Sequence, residues 1–275
     1  MNEKLERQVW KIADGLRSLS ASLTPVEFAK KLRELDPSTP TSTLALLISA
    51  IPSNRTNFVP QFLADTIREL VKNKTAQVIC DPWAGFGAII ATIEETILPE
   101  VAVAFTPIVD NAAVGQIIGN KVQWQVGDSL ELLAALTPKL DIACSVLPFG
   151  LKSGRPFACT AADGKQLELR DDLGNLLLVA ASGKLTDDGI GLFVVPQSFF
   201  FSQHSVLRHF NALGLGIEAA LELPSGAFTP LTNISTYLVV IRRRLLSRMF
   251  VAQLSNDSHT NLQIITNLQQ GGTCQ

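Results

Sequence analysis

The sequence predicts an α/β fold, with seven strands in a mostly parallel sheet, helices on both faces and a small helical region ahead of it. Three observations lead there. From residue 77 onward, short apolar runs alternate with segments of helical period, the pattern of successive βαβ units. Those runs are apolar nearly throughout, as strands covered on both faces must be. Hydrophobic residues make up 47% of the 275, enough to fill the core of one large α/β domain with a small appendage.

The elements follow in order. Leu5, Val9, Ile12, Ala13 and Leu16 recur at helical spacing, so residues 3–18 read as an amphipathic helix. A second helix fits residues 24–35, with Thr24 as cap, Pro25 at the first helical position and Glu27 at capping-box spacing. Residues 36–43 form a turn-rich connector, and a third helix fits 60–73. Strands are then expected at 77–81, 101–105, 122–126 and 140–145, with helices at 88–98, 110–118 and 129–136 between them. A long loop over 147–170 carries no clear period, which is usual for a functional segment. Helix 172–184, strand 189–195, helix 203–213 and strand 217–223 come next. The last strand, 235–242, follows a short loop with no crossover helix, so it should pair antiparallel with its predecessor. Residues 1–45 thus form a helical N-terminal region, 46–245 the α/β domain, and 246–275 a tail. The irregular ending reads as part of a longer chain.

The balance of charge is nearly even. The formal net charge is −2 and the isoelectric point about 5.9, which argues against strong unaided binding to DNA. Arg242, Arg243, Arg244 and Arg248 form one local basic candidate. Four cysteines without CxxC spacing and three histidines suggest neither zinc site nor disulfide framework. Cys80 and Cys144 lie in apolar runs, as buried thiols of a cytoplasmic protein would. The charged N-terminus is no signal peptide, and no uncharged apolar run reaches membrane-spanning length.

Three segments could carry chemistry. Asp81, Pro82, Trp83, Ala84, Gly85, Phe86 and Gly87 stand where a strand hands over to a helix, the edge at which parallel sheets bind ligands. Two glycines admit a ligand close to the backbone, and Asp81 offers a carboxylate to a cation such as an α-ammonium. A tight turn with no ligand would leave the same signature. Gly127, Asp128 and Ser129 follow the third strand, where Asp128 could accept from an exocyclic amino group and Ser129 could cap the next helix. An N-cap alone also explains them. Val146, Leu147, Pro148 and Phe149 follow the fourth strand, where a ring could stack on a base or a turn could simply seal the core.

At these segments the chain resembles the adenine-specific DNA methylases, above all the modification subunits of type I restriction systems. The family's cofactor loop, Asp-Pro-x-x-Gly-x-Gly, is matched by Asp81, Pro82, Gly85 and Gly87, and its Gly-Asp-Ser/Thr by Gly127, Asp128 and Ser129. Residues 10–17 are similar to the start of its helical region. Residues 57–62 are similar to its aromatic-Thr-Pro segment, with Val59 in place of the threonine. Residues 189–196, Glu222, Leu223, Pro224 and Phe228 are similar to its later strands and loop.

The resemblance covers about residues 5–245 and implies a Rossmann-like methyltransferase fold that binds S-adenosylmethionine. Phe58, Pro60, Asp81, Pro82, Ala84, Gly85, Gly87, Asp110, Asp128 and Ser129 would hold the cofactor. It further implies methylation of adenine N6 in DNA, reached through a separate specificity subunit or a further domain, in a hetero-oligomer.

Two departures stand against activity. The family's catalytic tetrapeptide, Asn/Asp-Pro-Pro-Tyr/Phe, reads Val146, Leu147, Pro148 and Phe149 here. Val146 has no acceptor for the amino protons of a flipped-out adenine; the Leu147 carbonyl and the Phe149 ring remain. Where the family places an acid for the ribose hydroxyls, Ile108 stands, with Asp110 nearby as a substitute or a helix cap. Three functions stay open: a methyltransferase of weakened activity, a catalytically silent scaffold or partner subunit, and a methyltransferase for a substrate other than DNA.

Overall fold

The computed structural model describes residues 23–201, 206–229 and 231–270. The helix expected over 3–18, His204 and Cys274 lie outside them. Thr24 and Glu27 form the reciprocal cap that their spacing predicts. The Glu27 carboxylate accepts from the Thr24 N–H at 2.8 Å, and the Thr24 hydroxyl accepts from the Glu27 N–H at 3.3 Å. That cap opens α1 (Pro25–Leu35). A helix absent from the sequence expectation follows, α2 (Thr41–Ser49), starting inside the expected connector. Its core, Leu44 to Ile48, is apolar around the whole circumference and so shows no helical period; such a helix must be buried, and Leu44, Ala45 and Ile48 are. Helix α3 (Gln61–Val71) completes the N-terminal helices.

The sheet is built from β1 (Val78–Asp81), β2 (Val101–Thr106), β3 (Val122–Val126), β4 (Leu140–Val146), β7 (Leu185–Pro196), β8 (Gly216–Glu222), β9 (Thr236–Arg242) and β10 (Phe250–Gln253). Helices α4 (Ala88–Ile97), α5 (Val109–Ile118), α6 (Ser129–Ala135) and α7 (Leu173–Gly183) connect the strands of its parallel part. The order across it is β10-β8-β9-β7-β4-β1-β2-β3. Strand β9 runs antiparallel to both β7 and β8, as the short connection requires. Seven strands are expected from the sequence; among the described residues the main sheet has eight, because β10 adds in parallel to the edge of β8. With residues alternately half-buried and exposed, β10 lacks the apolar run that marks the central strands.

Three further segments differ from expectation. The loop over 147–170 contains a hairpin of its own, β5 (Phe157–Thr160) with β6 (Gln166–Leu169). Residues 246–275, read as a tail, supply β10 and a helix, α10 (Ser258–Gln269). Two short helices precede α10: α8 (Ser198–Phe201) and, in the described part of the helix expected at 203–213, α9 (Phe210–Leu213), entered through a 3-10 turn, Val206–His209.

Alternating strand residues feed two apolar layers. Ile79, Ile142, Cys144, Leu192 and Val194 face the side covered by α1–α5 and α10, whereas Cys80, Ala143, Phe193 and Val195 face the side covered by α6 and α7. The chain leaves β1 for β2 and β3 on one side and returns to β4 on the other. The order therefore reverses between β1 and β4, and an open parallel sheet has its ligand crevice beyond the strand ends at that reversal.

Candidate active site

Asp81 ends β1 at this reversal and is only 2% exposed. Its Oδ1 accepts from the Ser145 hydroxyl at 2.7 Å and from the Trp83 N–H at 3.0 Å. Burial pushes its carboxyl up to about 7, against these two bonds, which pull it down. Among the described residues no cationic side chain pairs with it. A buried carboxylate without a countercharge is costly, and a buried carboxyl raised in this way beside a cleft is a candidate functional group.

The loop after Asp81 turns through two left-handed glycines, Gly85 at φ +53° and Gly87 at φ +85°. A side chain on Gly85 would crowd Asn57 Oδ1, at 3.2 Å. A Cβ on Gly87 would lie 2.9 Å from the Trp124 indole. The loop is sealed from below by Trp124 and approached from above by the 56–59 segment.

The turn after β4 faces this loop. Thr56, Asn57, Phe58, Val59, Asp81, Trp83, Ala84, Gly85, Ile89, Val146, Leu147, Pro148, Phe149, Phe228 and Leu231 line one open cleft. Phe228 is fully buried and meets Phe58 and Phe149 edge to face, with ring centroids 6.4 and 5.6 Å apart. Val146 is half-buried in the wall. Leu147 turns its side chain into the core, 3% exposed, so its contribution to chemistry is its backbone.

The structure thus brings Phe58, Asp81, Ala84 and Gly85 together with Val146, Leu147, Pro148 and Phe149. Other residues singled out in the sequence stand apart from the cleft lining. Pro60 precedes α3 and Pro82 is buried in the turn. Asp110 is exposed in the first turn of α5, behind Ile108. Asp128, not Ser129, caps α6, accepting from the Leu130 and Glu131 N–H groups at 2.9 and 3.2 Å. The Ser129 hydroxyl is buried without a partner. Asp128 is also held by Arg155 at 2.9 Å, and Arg155 reaches Glu131 at 2.7 Å.

The basic candidate is divided. Arg242 pairs with Glu218 at 2.8 Å and Arg243 reaches Asp187 at 3.4 Å, at the opposite end of the sheet from the cleft.

Three participants were not among the candidate site residues of the sequence. Asn57 and Asn111 exchange side-chain hydrogen bonds at 3.2 Å each, joining the cleft's upper segment to α5. Ser145 is identifiable only once β1 and β4 are neighbours. A wider groove of about 1190 Å3, lined by Phe157, Cys159, Val179, Leu215 and Arg243 among others, lies at the far end of the sheet. Its charged pair, Asp187 and Arg243, is exposed and mutually compensated, whereas Asp81 in the first cleft is buried with no cationic partner among the described residues. Among the described residues no group of three His, Cys, Asp or Glu side chains could hold a metal ion, and no helix is long and apolar enough to cross a membrane.

No protein-family model matches the sequence, and no curated protein matches it. Solved structures do match the fold. A type I restriction-modification methyltransferase subunit from Streptococcus thermophilus superposes with a TM-score of 0.65 at 13% identity, over 85% of this chain and 58% of that one. A protein assigned as a type I modification subunit, from Vibrio vulnificus YJ016, gives 0.64 at 14% identity, over 90% and 59%. A protein assigned as a class I S-adenosylmethionine-dependent methyltransferase, from Listeria monocytogenes, gives 0.61 at 13% identity, over 94% and 84%. The chain spans less than three-fifths of the length of the type I subunits it matches. Strand order, the antiparallel β9 and these superpositions together establish a Rossmann-like fold of the S-adenosylmethionine-dependent methyltransferase type, like that of type I modification subunits.

Proposed function

We propose that the Asp81 cleft binds S-adenosylmethionine and that the chain is a relative of the N6-adenine DNA methyltransferases whose transfer step is weakened or lost. The observation that carries this is the uncompensated Asp81 carboxyl sharing one cleft with the Val146–Phe149 turn.

The residues present fit the methionine half of the cofactor. Asp81 would take the α-ammonium, Gly85 leaves room at the backbone, and Phe58 would flank the aliphatic part. The adenosine half is less well served. Ile108 stands in place of a carboxylate, and Asp128 already serves the α6 N–H groups and Arg155. When bound, the cofactor supplies an electrophilic methyl group.

On the acceptor side, the Leu147 carbonyl can take one amino proton of an adenine and the Phe149 ring can stack on the base. Val146 can take none. Losing one preorganised polar contact at a reacting centre costs about 10²–10³ in rate, and an apolar wall strips water from the amino group without replacing its bond. Sequence choice on DNA would rest with a specificity partner or a further domain, since Arg242 and Arg243 are paired away from the cleft. A second reading, a catalytically silent partner subunit, is favoured by the occupied Asp128 together with Val146.

Calorimetry with S-adenosylmethionine, followed by a methylation assay with labelled cofactor on unmethylated DNA, tests both. Binding with little or no transfer is the expected result. Rapid turnover would refute the weakened chemistry, and absence of binding would refute the cofactor site.

A further inference from the structure

We propose that Ser145 is a positioning residue, whose hydroxyl holds Asp81 in its ionised form and ties it to the Val146–Phe149 turn. The inference rests on the reading of the cleft as a cofactor site, and deepens it. Ser145 is 2% exposed, the last residue of β4 but one, and it immediately precedes Val146. Its hydroxyl lies 2.7 Å from Asp81 Oδ1 and 3.3 Å from the Trp83 carbonyl. It has one proton to give, and the carboxylate is the nearer and stronger acceptor. That bond crosses from β4 to β1, the two strands between which the chain order reverses.

Nothing else around Asp81 can do this work. On its own strand stands Cys80, and on β4 stands Cys144. Both thiols are buried, and burial together with Asp81 itself pushes them up, so they stay neutral. Among the described residues, the only other group that stabilises the carboxylate is the Trp83 N–H, which belongs to the backbone and is fixed by the turn. Ser145 is therefore the single side chain among the described residues that opposes the effect of burial on Asp81. Without it Asp81 would hold its proton to higher pH and offer a cation less charge. The carboxylate would also lose its link to the turn that receives the acceptor.

The test compares wild type with Ser145→Ala and Ser145→Thr in two ways. Without ligand, stability is followed by urea unfolding from pH 4 to pH 8.5. The alanine variant should lose roughly tenfold more in its folding equilibrium constant across this range than wild type, one charged hydrogen bond being worth about one pKa unit or more. With S-adenosylmethionine, affinity rises with pH as Asp81 ionises. The midpoint of that rise should move up by about one unit in the alanine variant, weakening binding roughly tenfold near pH 6.5 and much less at pH 8.5. Titration of the ligand's own ammonium is common to all the proteins and cancels in the comparison. Threonine keeps the hydroxyl and should restore the wild-type profile. If the alanine variant does not fold, Ser145→Cys, with its weaker donor, carries the same comparison. Superimposable pH profiles, or a loss of affinity equal at every pH, overturn the proposal. If wild type binds no S-adenosylmethionine, the cofactor reading fails, and the ligand-free comparison still decides the role of Ser145.

Discussion

The ring of Phe228 meets that of Phe149 edge to face, with planes at 83°, and also meets the ring of Phe58 on the far wall of the cleft. One buried side chain thus sets the spacing between the segment proposed for cofactor and the turn proposed for the acceptor. Phe228→Ala should cost about 3–5 kcal/mol in stability and weaken S-adenosylmethionine binding beyond what Phe228→Leu does. Thermal unfolding and calorimetry check it; an alanine variant with unchanged affinity would show that the ring does not set the cleft width.

Asp81 gives a pH prediction. Its carboxyl is raised from the ordinary 3.8 to about 7 in the folded chain. Between these values the native state keeps a proton that the unfolded state has lost, so stability falls as pH rises and levels off above about 7. Asp81→Asn removes this term while keeping an acceptor for Ser145 and Trp83. The variant should match wild type near pH 4 and exceed it by about 4 kcal/mol above pH 7, an order-of-magnitude figure. It should also lose cofactor binding. Urea unfolding at pH 4, 6 and 8 reads the first, and a constant gap would sink it.

Val146 is half-buried in the cleft wall, so Val146→Asn places a carboxamide there at little cost to packing. The expected result is a gain in labelled-methyl transfer to adenine of about 10²-fold or more. Adding Leu147→Pro should not help proportionately. Leu147 fills the core, and its N–H reaches the Val194 carbonyl at 3.4 Å, so proline forfeits packing and a donor together. Transfer unchanged by Val146→Asn would mean that more than the missing acceptor limits the chemistry.

Gly115 on α5 lies directly against Trp124, with the nearest ring carbon only 2.0 Å from where a Cβ would stand. Gly115→Ala therefore forces the indole away from both Gly115 and Gly87. A loss of about 3 kcal/mol or more is expected, at the upper end for overpacking, with an altered near-ultraviolet signal from tryptophan. Retention of the wild-type Tm would contradict the packing.

Arg155 holds Asp128 and Glu131 from an exposed position. Exposed ion pairs contribute little, so Arg155→Ala should leave Tm nearly unchanged. If Asp128 serves the adenine of the cofactor, freeing it should tighten binding of S-adenosylmethionine severalfold. Unchanged affinity would place Asp128 outside the site.

The parallel core was legible because β1, β2 and β4 are apolar on both faces and their connecting helices keep their period. The Asp81 loop was legible because glycines in left-handed turns and an acid at a strand end leave a local mark. What stayed hidden depends on neighbours distant in sequence. Ser145 acquires a role only 64 positions away from Asp81, once β4 lies beside β1. Helix α2 escaped because uniform burial erases periodicity. Strand β10 has only four residues and borrows its order from β8. Asp128 was readable both as a cap and as a ligand for an amino group; its cap bonds and its partner Arg155 come from the fold, whereas the ligand role awaits the Arg155 test.

The path of residues 250–269 has a mechanical consequence. Strand β10 hangs on β8 at one rim of the sheet, and α10 then returns across the layer to α3, where Ser258 meets Asp65 at 3.1 Å and Gln269 meets the Glu69 carbonyl at 3.2 Å. Helix α3 begins just after Phe58 and Val59, which line the cleft. A protease cut or shortened clone near residue 245 would therefore unfasten a brace whose other end steadies the mouth of the binding cleft, although Ser258 and Asp65 lie 193 residues apart in the chain.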